Sequence, residues 1–268
     1  MTEYTGRGDQ RRSMELLWSV ERAPVRGQRT GLSAEEIVAE AIAVADTEGL
    51  DGLSMRKVAE RLGRSPMSLY TYVPGKAELL DVMVDRVMAE LVGTDPLDGG
   101  WRAAVERSAR ATWAMYERHP WVLRVGRSRA AFGPNELDVY EERLRQLDGL
   151  GLSGAEMVRI VVVVDGFVRG SAQEVADART AERVTGLSDD DWWNARMPLL
   201  EELSTRPEWV ERFPVAHRLA AEEAFARPGR VVGDPTPHTV REALDAFDSG
   251  LRWLLDGIEA FIRSRNPS

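Results

Sequence analysis

The chain has no cysteine among its 268 residues, which removes disulfide scaffolds, thiol nucleophiles and cysteine-ligated zinc together and suits a reducing compartment. Its three histidines, His119, His217 and His238, are dispersed and lack HExxH spacing, so no zinc site or cofactor is expected. Long hydrophobic runs are missing too. The longest aliphatic stretch, Ile160 to Val164, falls far short of the ~20 residues a membrane helix needs. Met14 to Trp18 is too brief for a signal-peptide core, and no small-residue cleavage site follows it. A cytoplasmic protein with no membrane partner is expected. The scattered Asp and Glu residues form no recognisable acid–base pair, so an enzyme is not.

What is present is the composition of a globular protein: 43% hydrophobic and 29% charged residues, with a mean hydropathy of -0.32. A length of 268 residues favours a small domain joined to a larger one. The net charge of -9 and a pI near 5.1 argue against a protein that coats nucleic acid indiscriminately. Local charge differs. Between Ser54 and Lys76, five basic residues (Arg56, Lys57, Arg61, Arg64, Lys76) stand against Glu60 alone. Residues 1–30 are mildly basic and mix Gly, Arg, Gln and Pro24; they read as a flexible basic arm with at most a turn or two of helix.

Helical order is predicted from Ser33, which forms a capping box with Glu36 ahead of Ile37, Ala41, Ile42 and Ala45, and it ends at Gly49. Ser54 caps a second helix with Met55, Val58, Ala59 and Leu62 on one side, stopping at Gly63. After the turn Gly63-Arg64-Ser65, Pro66 opens another short helix that closes before Pro74. Pro74 starts a longer helix with Leu79, Leu80, Met83, Val84, Val87, Met88 and Leu91 buried, broken at Gly93 and Pro96. This gives an arm (1–30), a small helical domain (31–92) and a larger domain (93–268). The last is also helical, over Trp101–Arg118, Asn135–Leu147, Ser153–Ala176, Asp189–Leu203, Pro214–Phe225 and Pro237–Arg263, with loops at Thr205–Pro207 and Ala226–Pro237. The fold class is all-α.

Two short helices across a glycine turn form a helix-turn-helix, whose second helix can enter the major groove. Leu69 and Val73 supply its buried side, leaving Met67, Ser68, Thr71 and Tyr72 outside to reach base edges, while Arg56, Arg64 and Lys76 neutralise phosphate. Helix N-termini at Ser54 and Pro74 add partial positive charge. The tract GLSMRKVAERLG followed by SLYTYVPGKAELL resembles the DNA-binding domain of the tetracycline-repressor family of bacterial regulators, through roughly residues 32–91. The resemblance implies DNA contacts from Ser54, Arg56, Pro66, Met67, Ser68, Leu69, Tyr70, Thr71 and Tyr72, with Lys76 on a phosphate. Leu69 ranks below its neighbours because it also fits the core. Met55, Pro66 and Tyr72 depart from the tetracycline repressor itself, so its operator does not carry over.

The resemblance further implies C-terminal helices that dimerise and enclose a small inducer. Val240, Leu244, Phe247, Leu251, Leu254, Ile258 and Phe261 recur every three or four residues as a seam, and Met157 to Val168 is its candidate partner. The expected dimer interface is Val161, Val164, Val168, Phe247, Leu251, Leu254 and Ile258. Candidate effector walls are Trp113, Tyr116, His119, Phe132, Phe167 and Trp193, with Arg129, Asp165 and Arg169 as polar anchors; Asp165 and Arg169 could also pair with each other. No histidine stands near Arg129 to Pro134, so tetracycline with magnesium is not implied. The expected protein is a dimeric repressor on a palindromic operator, released when an effector tilts the Pro74–Leu91 helix. The alternative is a ligand-independent or activating DNA binder of the same fold, whose arm tracks the groove.

Overall fold

A computed structural model of the chain describes residues 3–21, 32–93, 98–126, 130–222 and 236–265. In chain order these form β1 (Glu3–Tyr4), α1 (Gln10–Glu21), α2 (Ala34–Gly52), α3 (Met55–Arg61), α4 (Pro66–Leu69) and α5 (Lys76–Met88), which continues into a 3-10 turn, Ala89–Leu91. There follow α6 (Gly100–Arg118), a second 3-10 turn (Pro120–Arg124), β2 (Val125–Gly126), α7 (Pro134–Arg145) and α8 (Gly154–Thr185). The chain closes with α9 (Asp189–Ser204), α10 (Pro207–Arg212), α11 (Pro214–Ala221) and α12 (His238–Arg265). The all-α class holds: the described β structure is two residues of β1 parallel to two of β2. No described helix is long and apolar enough to cross a membrane.

Compactness divides the chain into one unit of Met1–Ala172 with Leu251–Ser268 and another of Gln173–Gly250. The break expected after residue 92 falls inside the first unit. In that unit, α2 begins with the reciprocal capping box, Ser33 Oγ accepting from the Glu36 amide and the Glu36 carboxylate from the Ser33 amide. Gly49 takes φ +72, and the regular helix breaks there as its sequence predicts. Ile37, Val38, Ala41, Val44 and Ala45 form the buried stripe.

Four expectations are corrected. The segment read as a flexible arm is folded where described: β1 pairs with β2, Leu17 is buried, and Ser13 Oγ donates to Asp81 Oδ2 at 2.7 Å. Its composition looks arm-like because much of its docking is done by its own backbone amides and a hydroxyl, which donate to distant carboxylates, and not by an apolar stripe. Residues 1–2 and 22–30 of that arm lie outside the described residues. The long helix starts at Lys76, capped by Gly75, not at Pro74. The loop expected at Thr205–Pro207 gives way at Pro207 to α10, because proline fits a first helical position as readily as it breaks a later one. Most of the expected dimer seam is turned inward. Val161, Val164, Val168, Phe247, Leu251 and Ile258 are buried within the single chain, and Leu254 is half-buried. A periodic stripe satisfies its own core first. On the same helices, Val162 at 62% exposure, Val163 at 51% and Trp253 at 70% remain uncovered.

α5 is the hub of the first unit. Between its apolar residues it buries three acids, Glu78, Asp81 and Asp85. Asp81 accepts from the Gly6 amide at 2.9 Å and from Ser13; Asp85 accepts from the Glu136 amide at 2.9 Å and the Asn135 side chain at 2.8 Å. Burial pushes both aspartate carboxyls above the ordinary value of 3.8, with these hydrogen bonds opposing it. A raised folded-state value means that the stability each contributes is complete below the unfolded value and is lost as pH rises through the folded one. Asp81→Asn, whose amide can pair with a reversed Ser13 hydroxyl, should therefore gain stability relative to the parent as pH rises from 3.5 to 7.5. Urea midpoints at the two pH values check this, and a constant difference would contradict it.

Candidate nucleic-acid interface and effector region

The turn of the helix-turn-helix is fixed by local chemistry. Gly63 adopts φ +63 after α3, its amide bonding to the Glu60 carbonyl at 3.1 Å and the Arg64 amide to the Ala59 carbonyl at 2.8 Å. This left-handed cap suits glycine, and it redirects the chain within one residue. Ser65 Oγ then accepts from the Ser68 amide at 3.3 Å, and Pro66 sits in the first turn of α4.

Leu69 and Val73 are fully buried, anchoring α4 and the turn after it. Leu69 thus belongs to the core, which settles the ambiguity in its reading. On the opposite side Met67 is 75% exposed, and Pro66, Tyr70, Thr71 and Tyr72 are exposed as well. Ser68 is half-buried and its hydroxyl donates to the Ser65 carbonyl at 2.6 Å, so it keeps only acceptor capacity. Ser54 Oγ is engaged as the cap of α3, accepting from the Lys57 amide at 3.2 Å.

The basic residues separate into two sets. Lys57 pairs with Glu48 at 3.0 Å and Arg61 with Glu40, so both are turned to α2. Arg56 and Arg64 are exposed and make no ion pair among the described residues. Lys76 Nζ lies 3.3 Å from Glu3 Oε1 and donates to the Leu50 carbonyl at 3.4 Å. Charge counting along the sequence could not separate these sets, since the acids that bind Lys57 and Arg61 lie on another helix.

The effector candidates are dispersed. Trp113 and Tyr116 are buried on α6. His119 is buried with Nδ1 2.7 Å from Asp46 Oδ1 and Nε2 2.9 Å from Glu90 Oε1, a link between helices and not a pocket wall. Phe132 is exposed at φ +55 with its amide on Glu136, and Phe167 is half-buried. Asp165 pairs with Arg143 instead of Arg169, whose guanidinium donates to the carbonyls of Leu123 at 2.6 Å and Val125 at 2.9 Å. Trp193, in the second unit, meets Trp192 edge-on at 4.8 Å. Arg129 lies outside the described residues.

The sequence reading missed the polar group in the first unit where Arg143 reaches both Asp165 and Thr112 Oγ1, and Gln146 reaches Ser108. The signal was present: Arg143 and Gln146 lie on the face of α7 that continues into buried Val139 and Leu147. With Val105, Ala109 and Val164 they line a cleft of only about 20 Å³, room for roughly one water. A drug-sized effector needs hundreds of cubic ångströms, so occupancy here requires α7 or α8 to shift. No cluster of potential metal ligands occurs among the described residues.

Comparison with known proteins gives the following. Residues 37–83 match the bacterial regulatory proteins of the tetR family, and residues 94–262 match the tetracyclin repressor-like C-terminal domain. The chain is 42% identical over 265 residues to the HTH-type transcriptional repressor DrrR1 of Streptomyces coeruleorubidus, covering 98% of this chain and 91% of that one. Among solved structures it is similar to the TetR family protein ActR of Streptomyces coelicolor in complex with actinorhodin, at a TM-score of 0.66 and 27% identity, over 87% of this chain and 97% of that one. Apo ActR from the same organism matches at a TM-score of 0.64 and 26% identity, over 87% and 99% of the two chains.

Proposed function

This chain belongs to the tetracycline-repressor family, whose members are DNA-binding transcriptional regulators and not enzymes, and we propose that it acts in the cytoplasm as a homodimer gripping an inverted-repeat operator. It is a ligand-responsive repressor. The observation that carries the DNA reading is the division of α4 and its following turn. Leu69 and Val73 are sealed in the core while Met67, Tyr70, Thr71 and Tyr72 stand outside, with Arg56 and Arg64 beside them. Hydroxyls and a thioether suit base edges and thymine methyls, and guanidinium groups suit phosphate.

Two such surfaces read a palindrome if they stand ~34–36 Å apart on one face of the duplex. The uncovered apolar face of α8 and α12 supports a twofold pairing. Val163, Trp253, Leu254 and Phe261 line a groove there of about 540 Å³. Val162, Val163, Trp253 and Phe261 stand exposed on these two helices, and four helices packed from two chains would cover them.

For the effector we propose the region around Trp113, Tyr116 and the Arg143–Asp165–Thr112 group, which offers apolar walls and a few polar anchors. ActR, similar in fold, is described in complex with actinorhodin, and this supports a small-molecule ligand here. Release follows mechanically. Asp85 of α5 holds the N-terminus of α7 through the Glu136 amide, so a ligand that moves α7 pulls on α5, the helix that follows the recognition turn. Switching from mostly bound to mostly free requires about 5.5 kcal/mol of differential affinity.

In vitro selection from random duplexes is the test: an inverted repeat with half-sites one helical turn apart is expected, and no enrichment would overturn the reading. Arg64→Ala should weaken binding to all duplexes alike and lower the salt slope by about one ion. Thr71→Ala should instead alter preference at one position of the selected site, by about 1–3 kcal/mol. Equal losses on selected and random DNA would remove Thr71 from base readout.

A further inference from the structure

The N-terminal segment precedes the range that matches the family's DNA-binding domain, yet it is bound to α5 at three points. Glu3 Oε1 lies 3.3 Å from Lys76 Nζ, Gly6 and Ser13 both donate to Asp81, and the Asp9 amide donates to Glu78 Oε1 at 3.0 Å. Its other edge is held by β2, where the Thr5 amide donates to the Gly126 carbonyl at 3.3 Å. The fit at β2 is close: a Cβ on Gly126 would stand 2.5 Å from the Tyr4 ring. The segment is therefore a strap from β2 to the start of α5, and its first charged residue occupies a lysine at the DNA-facing end of that helix.

We propose that this strap is an intramolecular competitor of DNA: Glu3 holds Lys76 in the free protein, and a phosphate must displace that carboxylate to gain the lysine. The proposal rests on the reading of Lys76 as a phosphate contact. A carboxylate and a phosphodiester oxygen offer the ammonium the same kind of acceptor, and a phosphate approaching the side of Lys76 Nζ that Glu3 now occupies meets a like charge there and must displace it. Glu3 is also 3.8 Å from Arg7, which stays available to it when Lys76 leaves. DNA binding would thus loosen β1 from β2 and carry the event to the turn that β2 closes.

The pair is partly exposed, so the competition is modest: Glu3→Gln should raise affinity about two- to fivefold for both the selected inverted repeat and a random duplex. The gain should fade between about 50 and 200 mM salt, as the intramolecular pair is itself screened. Removing any acid near DNA helps binding, so the decisive measurement is the same substitution in a Lys76→Ala background, where no gain is expected. Glu15→Gln, equal in charge but facing Arg11, should give no comparable gain in either background. In addition, hydrogen exchange at the Thr5 amide should accelerate when the random duplex is bound. An equal gain with and without Lys76 would overturn the competition, as would no gain at all. If Lys76→Ala leaves affinity and salt slope unchanged, the phosphate contact itself fails and the proposal falls with it. A loss on Lys76→Ala without a gain on Glu3→Gln sinks the strap alone.

Discussion

Val163→Glu with Trp253→Glu is expected to yield a folded monomer whose affinity for the selected inverted repeat falls by about a hundredfold or more. Both side chains are more than half exposed in the single chain, so glutamate there costs the fold little, on the order of 0.5 kcal/mol each. In the proposed dimer the same positions are covered, and four carboxylates brought together at that interface cannot all be solvated. The loss in DNA affinity is large because each protomer then binds one half-site alone and forfeits the effective concentration that its partner supplied. Sedimentation and circular dichroism together check it: a helical monomer is the expected state. Leu251→Glu is the informative contrast. That residue is 1% exposed, so its replacement unfolds the chain and says nothing of the interface. A dimer that survives the double substitution would move the interface to another face.

The features legible in the sequence are those whose causes are local. Ser33, Ser54, Ser65, Pro66 and Gly63 each act within four residues, so the caps and the turn of the helix-turn-helix follow from spacing alone. The strap was not legible, because its acceptors are distant: Ser13 and Asp81 are 68 residues apart, Gly6 and Asp81 75. One trace of it was visible, since Glu78, Asp81 and Asp85 recur every three or four residues in a helix that is apolar apart from these acids, Lys76 and Arg86. Acids at such spacing inside a buried helix call for donors from elsewhere. The dimer seam was legible only in part, for another reason. Periodicity identifies a stripe that must be covered but not what covers it, and α8 and α12 carry enough apolar residues to fill a core and still expose Val162, Val163 and Trp253. For the effector region, aromatic content points to Trp113 and Tyr116, both buried, whereas the face of α7 shared with Val139 marks Arg143 and Gln146 as inward but not that they meet Thr112, Ser108 and Asp165 from α6 and α8.

Replacing His119 with alanine is expected to cost about 2–4 kcal/mol of stability, the second large effect. The ring bridges Asp46 of α2 and Glu90 of the 3-10 turn after α5, at 2.7 and 2.9 Å, and hydrogen bonds to charged partners contribute roughly 1.5–3 kcal/mol each. Alanine removes both, although Trp121 Nε1 still donates to Asp46 at 2.7 Å and Arg118 to Glu90 at 2.9 Å, which keeps the loss below the full sum. Acid dependence gives a second readout. Partial burial pushes the Glu90 carboxyl up, but His119 and Arg118 outweigh it and hold the group below the ordinary value of 4.5. A depressed folded-state value contributes stability above the unfolded one and loses it as pH falls through the folded one. The variant should therefore lose less than the parent on acidification from pH 6 to pH 4. Urea unfolding across that range measures both, and Asp46→Asn closes a double-mutant cycle with His119→Ala whose coupling should reach about 1–3 kcal/mol. A coupling near zero would reduce His119 to a space-filling ring. The expected coupling makes it the pin through which the turn fixed by Arg169 of α8 holds the DNA-binding helices in place.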